Sequence, residues 1–192
     1  EAHSTDLGEI ETLYLGGGTP SLLPPDAIAT LLAEFLPRTT HHAPRTGVEV
    51  TLEANPEDVT PDNARAWHAA GINRVSLGGQ SFDDEVLKWM HRSHDAARIG
   101  AAIHALRGAG IDNISLDLIF GAPGQSQTQV LRDVAAALAL APEHVSAYAL
   151  TLESGTPFAR AAQRGRLSLP DDDTVAAMLG ALGAALAAEG LP

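Results

Sequence analysis

Ala70-Gly71-Ile72-Asn73-Arg74-Val75-Ser76-Leu77-Gly78 recurs further along the chain as Ala109-Gly110-Ile111-Asp112-Asn113-Ile114-Ser115-Leu116-Asp117. The offset is the length of one strand plus one helix, so one structural role is played twice. In each copy a glycine closes a helical pattern and an apolar run starts just after it. Outward from this repeat, strands are expected at Thr12–Leu15, Val48–Glu53, Arg74–Leu77, Asn113–Phe120 and Val145–Leu150. Helical patterns fall between them, at Asp26–Leu36, Pro61–Ala70, Asp95–Ala109 and Thr128–Leu140, with a short piece at Asp83–Met90. Thr60 is placed to cap the second helix, with Pro61 at its first position. Strands separated by helices predict an α/β chain with a parallel sheet. The repeated runs read as apolar on both sides of the pleat, as strands covered on two faces do. Five such units suit a (β/α) barrel or part of one; a doubly wound open sheet is the alternative.

After Leu150 the pattern changes to a loop, a short helix at Pro157–Arg164 and a longer one at Pro170–Leu191. Residues 1–167 therefore read as the core and residues 168–192 as the start of a following region. The 192 residues suit one domain, and 45% apolar against 19% charged residues can bury a core. A net charge of −12 without a basic stripe argues against nucleic acid as a partner. No apolar run reaches membrane length and no signal peptide is visible, so a cytoplasmic protein without an integral membrane segment is expected. The absence of cysteine excludes disulfides and thiolate metal sites within these residues. Because the chain starts at Glu1, not Met, and stops just after a helix, it reads as an excerpt of a longer protein.

In a barrel, chemistry belongs at the C-terminal ends of the strands. Strand one ends in Gly16-Gly17-Gly18-Thr19, strand two in Glu53-Ala54-Asn55-Pro56 and strand three in Gly78-Gly79-Gln80-Ser81. Strand four carries Asp117 and runs into Gly121-Ala122-Pro123-Gly124-Gln125; strand five ends near Thr151 and Glu153. Consecutive glycines expose bare backbone where a side chain is not allowed. With two carboxylates, an amide and a hydroxyl, this rim suits a polar ligand bearing amino, carboxylate and hydroxyl groups. No nucleophile with a neighbouring base is evident, so no catalytic residue is assigned. The plain alternatives are a tight turn for the glycines, and helix caps or pairs with Arg74 or Arg92 for Glu53 and Asp117. Asp26 and Asp83-Asp84-Glu85 suit first helical turns. His91 with His94, and the adjacent His41-His42, lack a third ligand, so no metal site is assigned. No lysine follows the glycines as in a phosphate-binding loop, and dinucleotide spacing is absent.

Tyr-Leu-Gly-Gly-Gly-Thr-Pro-Ser at 14–21, Leu-Glu-Ala-Asn-Pro at 52–56 and Asn-Arg-Val-Ser-Leu-Gly-Gly-Gln-Ser-Phe at 73–82 resemble radical S-adenosylmethionine (SAM) proteins of the oxygen-independent coproporphyrinogen oxidase group. His-Arg-Ser-His at 91–94 and Ile-Ser-Leu-Asp-Leu-Ile-Phe-Gly-Ala-Pro-Gly-Gln at 114–125 add to the resemblance, which runs from about Glu9 to Leu167. Gly-Gln-Ser-Phe and the segment at 145–157 look more like the haem chaperone branch than the true oxidase. Gly79 stands where the family usually has valine, which predicts a small loss of strand packing, and Ala122 replaces a usual leucine.

The resemblance implies a partial (β/α)6 TIM-like barrel of the radical SAM type, here lacking its first strand. It implies a [4Fe–4S] cluster on a C-x3-C-x2-C motif upstream of Glu1, and SAM bound to that cluster. Gly17, Gly18 and Thr19 would hold the methionine amino end through backbone and hydroxyl contacts. Glu53, Gln80, Arg92, Asp117 and Thr151 match further positions that contact SAM in the oxidase. Reductive cleavage of SAM gives the family a 5′-deoxyadenosyl radical, used in an oxidase on a porphyrinogen propionate. In the chaperone branch the domain instead binds haem and passes it to a respiratory protein. The chaperone is the leading reading and the oxidase the alternative. No haem ligand is identified here, since His91, His94 or His144 could be proposed but the family's haem motif is expected in the C-terminal region beyond these residues.

Overall fold

A computed structural model describes residues 10–36 and 47–191. The His41-His42 pair and most of the Pro37–Gly47 connection lie outside the described residues. Strands β1 (Thr12–Leu15), β2 (Glu49–Ala54), β3 (Arg74–Gln80), β4 (Asn113–Phe120) and β5 (His144–Ala149) form one parallel sheet in sequential order. Helices α1 (Pro25–Phe35), α2 (Pro61–Ala70), α3 (Asp84–Trp89), α4 (Ala96–Gly108), α5 (Gln127–Ala139), α6 (Pro157–Gln163) and α7 (Asp172–Ala188) fill the connections and the end. A doubly wound sheet reverses its strand order part-way. Here every crossover steps to the next strand, as in a barrel, and the sheet is left unclosed among the described residues.

The repeat folds as its sequence demands. Gly71 and Gly110 follow α2 and α4 at φ +109° and +92°. In both copies the next isoleucine donates its N–H back across the cap, Ile72 to the Trp67 carbonyl and Ile111 to that of Leu106, each at 3.0 Å. Both isoleucines are fully buried beneath the helix end, the apolar contact that accompanies such a cap. Thr60 caps α2 by accepting from the Asn63 N–H at 3.1 Å. Ser126 and Gln129 cap α5 reciprocally, each side chain accepting from the other residue's backbone N–H.

The expectation that the repeated strands are apolar on both faces is not met. Val50, Leu52, Val75, Leu77, Ile114, Leu116 and Leu118 are buried in one core with Ile28, Leu32, Trp67, Ile99, Leu106, Val130 and Val134 of the helices. Met178, Leu182 and Leu186 of α7 join the same core. The alternate positions are polar. Register sets Glu53 beside Ser76, Ser76 beside Ser115, Ser115 beside His144, and Asp117 beside Ser146. One face is therefore a helix-covered core and the other a polar floor. The short apolar runs concealed this two-residue alternation because serine counts for little in a hydropathy reading.

β3 also runs further than expected, past Leu77 to Gln80, with one extra residue against β4: Leu77 pairs with Leu116 but Gln80 with Leu118. This bulge contains Gly79, where a loss of packing was expected. Instead, a Cβ built at Gly79 would lie 2.8 Å from Leu116 Cδ1 and 3.4 Å from Ile99 Cδ1, so these side chains already fill the space. Overpacking of this kind costs about 1–3 kcal/mol. Gly79→Val should lower stability in urea denaturation by that amount. Combining it with Leu116→Val should recover part of the loss, and a strictly additive pair would contradict this packing.

Candidate functional site

The C-terminal ends of the strands surround an open cleft of about 340 Å³. β1 reaches it through Gly18 and Thr19, β2 through Glu53 and Asn55, β3 through Ser76, Gly78 and Gln80. β4 adds Asp117 and Ile119, β5 adds Tyr148, and Arg92 enters from the segment between α3 and α4. Gly18, Thr19, Glu53, Gln80, Arg92 and Asp117, each singled out in the sequence, are thus brought together. Gly17 stands beside the cleft with its N–H committed to the Glu53 carboxylate at 3.2 Å. Thr151 is not in it: Thr151 lines a neighbouring groove of about 330 Å³.

Glu53 organises the β1 end. One oxygen accepts from the Tyr14 hydroxyl at 2.8 Å and the other from the Gly17 N–H. A Cβ at Gly16 would lie 2.6 Å from the Tyr14 ring and 2.9 Å from the Glu53 carboxyl carbon, so only glycine allows this close approach. Gly17 and Gly18 take φ +88° and +121°, and a Cβ on either would meet open space. Their shape is set by backbone conformation and the room in front of them is free. Partial burial, then the bond to Glu53, push the Tyr14 phenol up to about 12, so it remains a donor at neutral pH.

Among the described residues Asp117 neither caps a helix nor pairs with a cation. Both its oxygens lie 3.1 Å from the Ser76 hydroxyl on the polar floor. Burial raises its carboxyl above the ordinary value; the Ser76 and Ser146 hydroxyls oppose that rise and the Glu53 charge adds to it. Arg74, the other expected partner, lies 4.0 Å from Glu49 instead. Arg92 contacts the Asn55 side-chain oxygen at 3.4 Å and has no carboxylate within ion-pair distance among the described residues. Burial lowers its guanidinium below the ordinary value, and the nearby Glu57 charge opposes that fall.

Sequence reading placed Asn55 on the rim without a role and missed Tyr14, Ser76 and Tyr148 as parts of the site. The signal available was register: each lies at the C-terminal end of a strand or on its polar alternate positions. Of the histidines, His94 is buried with both ring nitrogens engaged, by Glu57 and the Gly79 carbonyl. His144 contacts the Ser115 hydroxyl at 2.8 Å. His91 is exposed and stacks on Phe158, with ring centroids 5.6 Å apart, at the neighbouring groove. No group of three or more His, Asp or Glu side chains suited to a metal occurs among the described residues.

The Radical SAM superfamily matches residues 1–137. The chain belongs to the radical SAM superfamily. Haem chaperone HemW of Mycobacterium tuberculosis is 42% identical over 189 residues, which cover 98% of this chain and 48% of that protein. HemW of Escherichia coli is 40% identical over 167 residues, 87% of this chain and 42% of the relative. The solved structure of Escherichia coli coproporphyrinogen III oxidase, HemN, described as a radical SAM enzyme, matches with a TM-score of 0.77 at 27% identity. That match covers 94% of this chain and 41% of the oxidase. The chain thus spans less than half the length of these relatives. Members of the superfamily use SAM and a [4Fe–4S] cluster, and the α/β fold with a parallel sheet is the one the superfamily predicts.

The raised Asp117 carboxyl has a stability consequence with a definite sign. With its folded value above the ordinary 3.8, its favourable contribution is complete only below that value and is lost as pH rises through the raised one. Asp117→Asn removes the penalty. The variant should melt above wild type at pH 7, and the gap should shrink as pH falls towards 4. Thermal melts at several pH values check this, and a gap that widens at low pH would contradict it.

Proposed function

We propose that this chain is the SAM-binding part of a haem chaperone of the HemW kind, which holds SAM in the cleft and passes haem to a respiratory protein. The observation that carries the reading is Arg92, a half-buried cation that makes no ion pair among the described residues, on a cleft it shares with a glycine cradle and polar groups. SAM presents a carboxylate, an α-amino group and ribose hydroxyls. Arg92 suits the carboxylate. The Gly17–Gly18 backbone and the Thr19 hydroxyl suit the amino group, and Glu53 has acceptor capacity beyond its two internal bonds. Asp117 and Gln80 suit hydroxyls on the opposite wall. Thr151, in the adjacent groove, is assigned the far edge of the ligand or whatever lies next to it. Residues 168–192 are read as the start of the region that follows the core.

When bound, SAM supplies a reducible sulfonium centre. The chain's own residues orient it and keep ordered donors and acceptors around it. The 192 residues contain no cysteine, so none of them fits a [4Fe–4S] cluster as a thiolate ligand, and no electron-transfer step is assigned to them. A cytoplasmic site of action is part of the proposal; no described helix is long and apolar enough to cross a membrane. The runner-up is oxygen-independent coproporphyrinogen III oxidase, favoured by the fold match to HemN. The identities of 42% and 40% to proteins named as haem chaperones favour the first reading.

The two readings part in one assay. Full-length protein with its cluster, incubated anaerobically with coproporphyrinogen III, SAM and a reductant, should yield no protoporphyrinogen yet bind haem tightly. Turnover to protoporphyrinogen would replace the chaperone reading by the oxidase. A second prediction concerns the cradle. Gly17→Val should abolish SAM binding in calorimetry, because its side chain enters the space the ligand approaches through, while its positive φ costs the fold only about 1–2 kcal/mol. Unchanged SAM affinity would contradict this role.

A further inference from the structure

Gln80 is a non-glycine residue at φ +67°, at the end of the β3 bulge. Across it, the Ser81 N–H donates to the Gly79 carbonyl at 2.9 Å. A three-residue turn with a positive central φ is rare and strained. Such a conformation persists only where the surroundings over-determine it.

Two buried groups do so here, from opposite sides. Asp133 of α5, 6% exposed, accepts from the Ser81 hydroxyl at 2.7 Å and from the Phe82 N–H at 2.8 Å. It thereby fixes the two residues that follow Gln80. His94, also 6% exposed, sets Nε2 3.2 Å from the Gly79 carbonyl and Nδ1 3.0 Å from Glu57 Oε2. It thereby fixes the residue that precedes Gln80. A carbonyl only accepts, so Nε2 donates to Gly79. Burial works against the Glu57 charge, but the Ser93 hydroxyl, a backbone N–H and His94 together hold its carboxyl below the ordinary value. Neither Asp133 nor His94 lines the cleft, whereas Gln80 does. Braces from the β2–α2 turn, the segment between α3 and α4, and the middle of α5 therefore converge on one strained residue.

Building on the SAM reading of the cleft, we propose that Asp133 and the Glu57–His94 pair are positioning residues that hold the Gly79–Ser81 turn in its strained form, presenting Gln80 to the ligand. Strain held for binding has a signature that ordinary packing lacks. Relieving it should stabilise the fold while weakening the ligand. Gln80→Gly removes both the strain and the contact, so its melting temperature should rise above wild type as its SAM affinity falls.

The test is a double-mutant cycle on the full-length protein with its cluster, read by calorimetric titration with SAM and by thermal melts without it. Asp133→Ala and His94→Gln are each made in the wild type and in a Gln80→Ala background. Each alone should weaken SAM about tenfold, as losing a buried polar contact does, and neither should weaken it further once Gln80 is gone. If Asp133→Ala fails to fold, His94→Gln carries the cycle. Equal weakening in both backgrounds would reduce the braces to general packing and overturn the proposal, as would a Gln80→Gly variant that melts below wild type. A wild type that binds no SAM overturns the cleft reading itself, while the ligand-free melts still decide whether the turn is strained.

Discussion

The alternation of side chains along five parallel strands is the constraint on which this structure depends. Every second residue must enter the helix-covered core, and the rest must accept whatever the other face offers. Here that face is polar: Glu53, Ser76, Ser115 and His144 stand in register across it, with Asp117 beside Ser146. Because the strands are parallel and sequential, their C-terminal ends share one rim, and each connection starts there. Glu53 then ties the glycine end of β1 to β2 by accepting from Tyr14 and Gly17, one oxygen each. Cleft shape and core burial are two outcomes of one register, since a one-residue slip would exchange them.

Much of this was legible in the sequence. The Ala-Gly-Ile repeat marked two helix stops and two strand starts, and both fold with the same cap. Glycines, prolines and capping side chains act locally, so their message survives without tertiary context. The rim residues were legible for a related reason: polar groups at the ends of apolar runs must meet water or a ligand. The polar floor was harder to see, because Ser76 and Ser115 sit within runs that scored as apolar. The β3 bulge was invisible, since it depends on Leu116 and Ile99 filling the space at Gly79 and on Asp133 reaching Ser81 from another element. Contacts between segments far apart in the chain leave no local trace. Thr151 fell one groove away from its expected place for the same reason.

The site brings together a carboxylate held by donors, a half-buried acid on a hydroxyl floor and a cation that makes no ion pair among the described residues. Each is costly for the isolated fold. Asp117 and Arg92 are both displaced from their ordinary protonation behaviour by burial, and neither forms an ion pair among the described residues. Costs of this kind concentrate where a ligand supplies the missing contacts. Arg92 also borders the neighbouring groove, whose wall includes Trp89, His91 and Phe158. A ligand held by Arg92 is thus in reach of whatever occupies that groove.

The central claim is that the methionine end of SAM lies between the glycine cradle and Arg92. The most direct measurement is a crystal structure of the full-length protein with its cluster and SAM bound. The account predicts the SAM carboxylate within hydrogen-bonding distance of the Arg92 guanidinium and the amino group against Gly17–Thr19. Density for SAM in another part of the protein, with Arg92 and the glycines free, would contradict it.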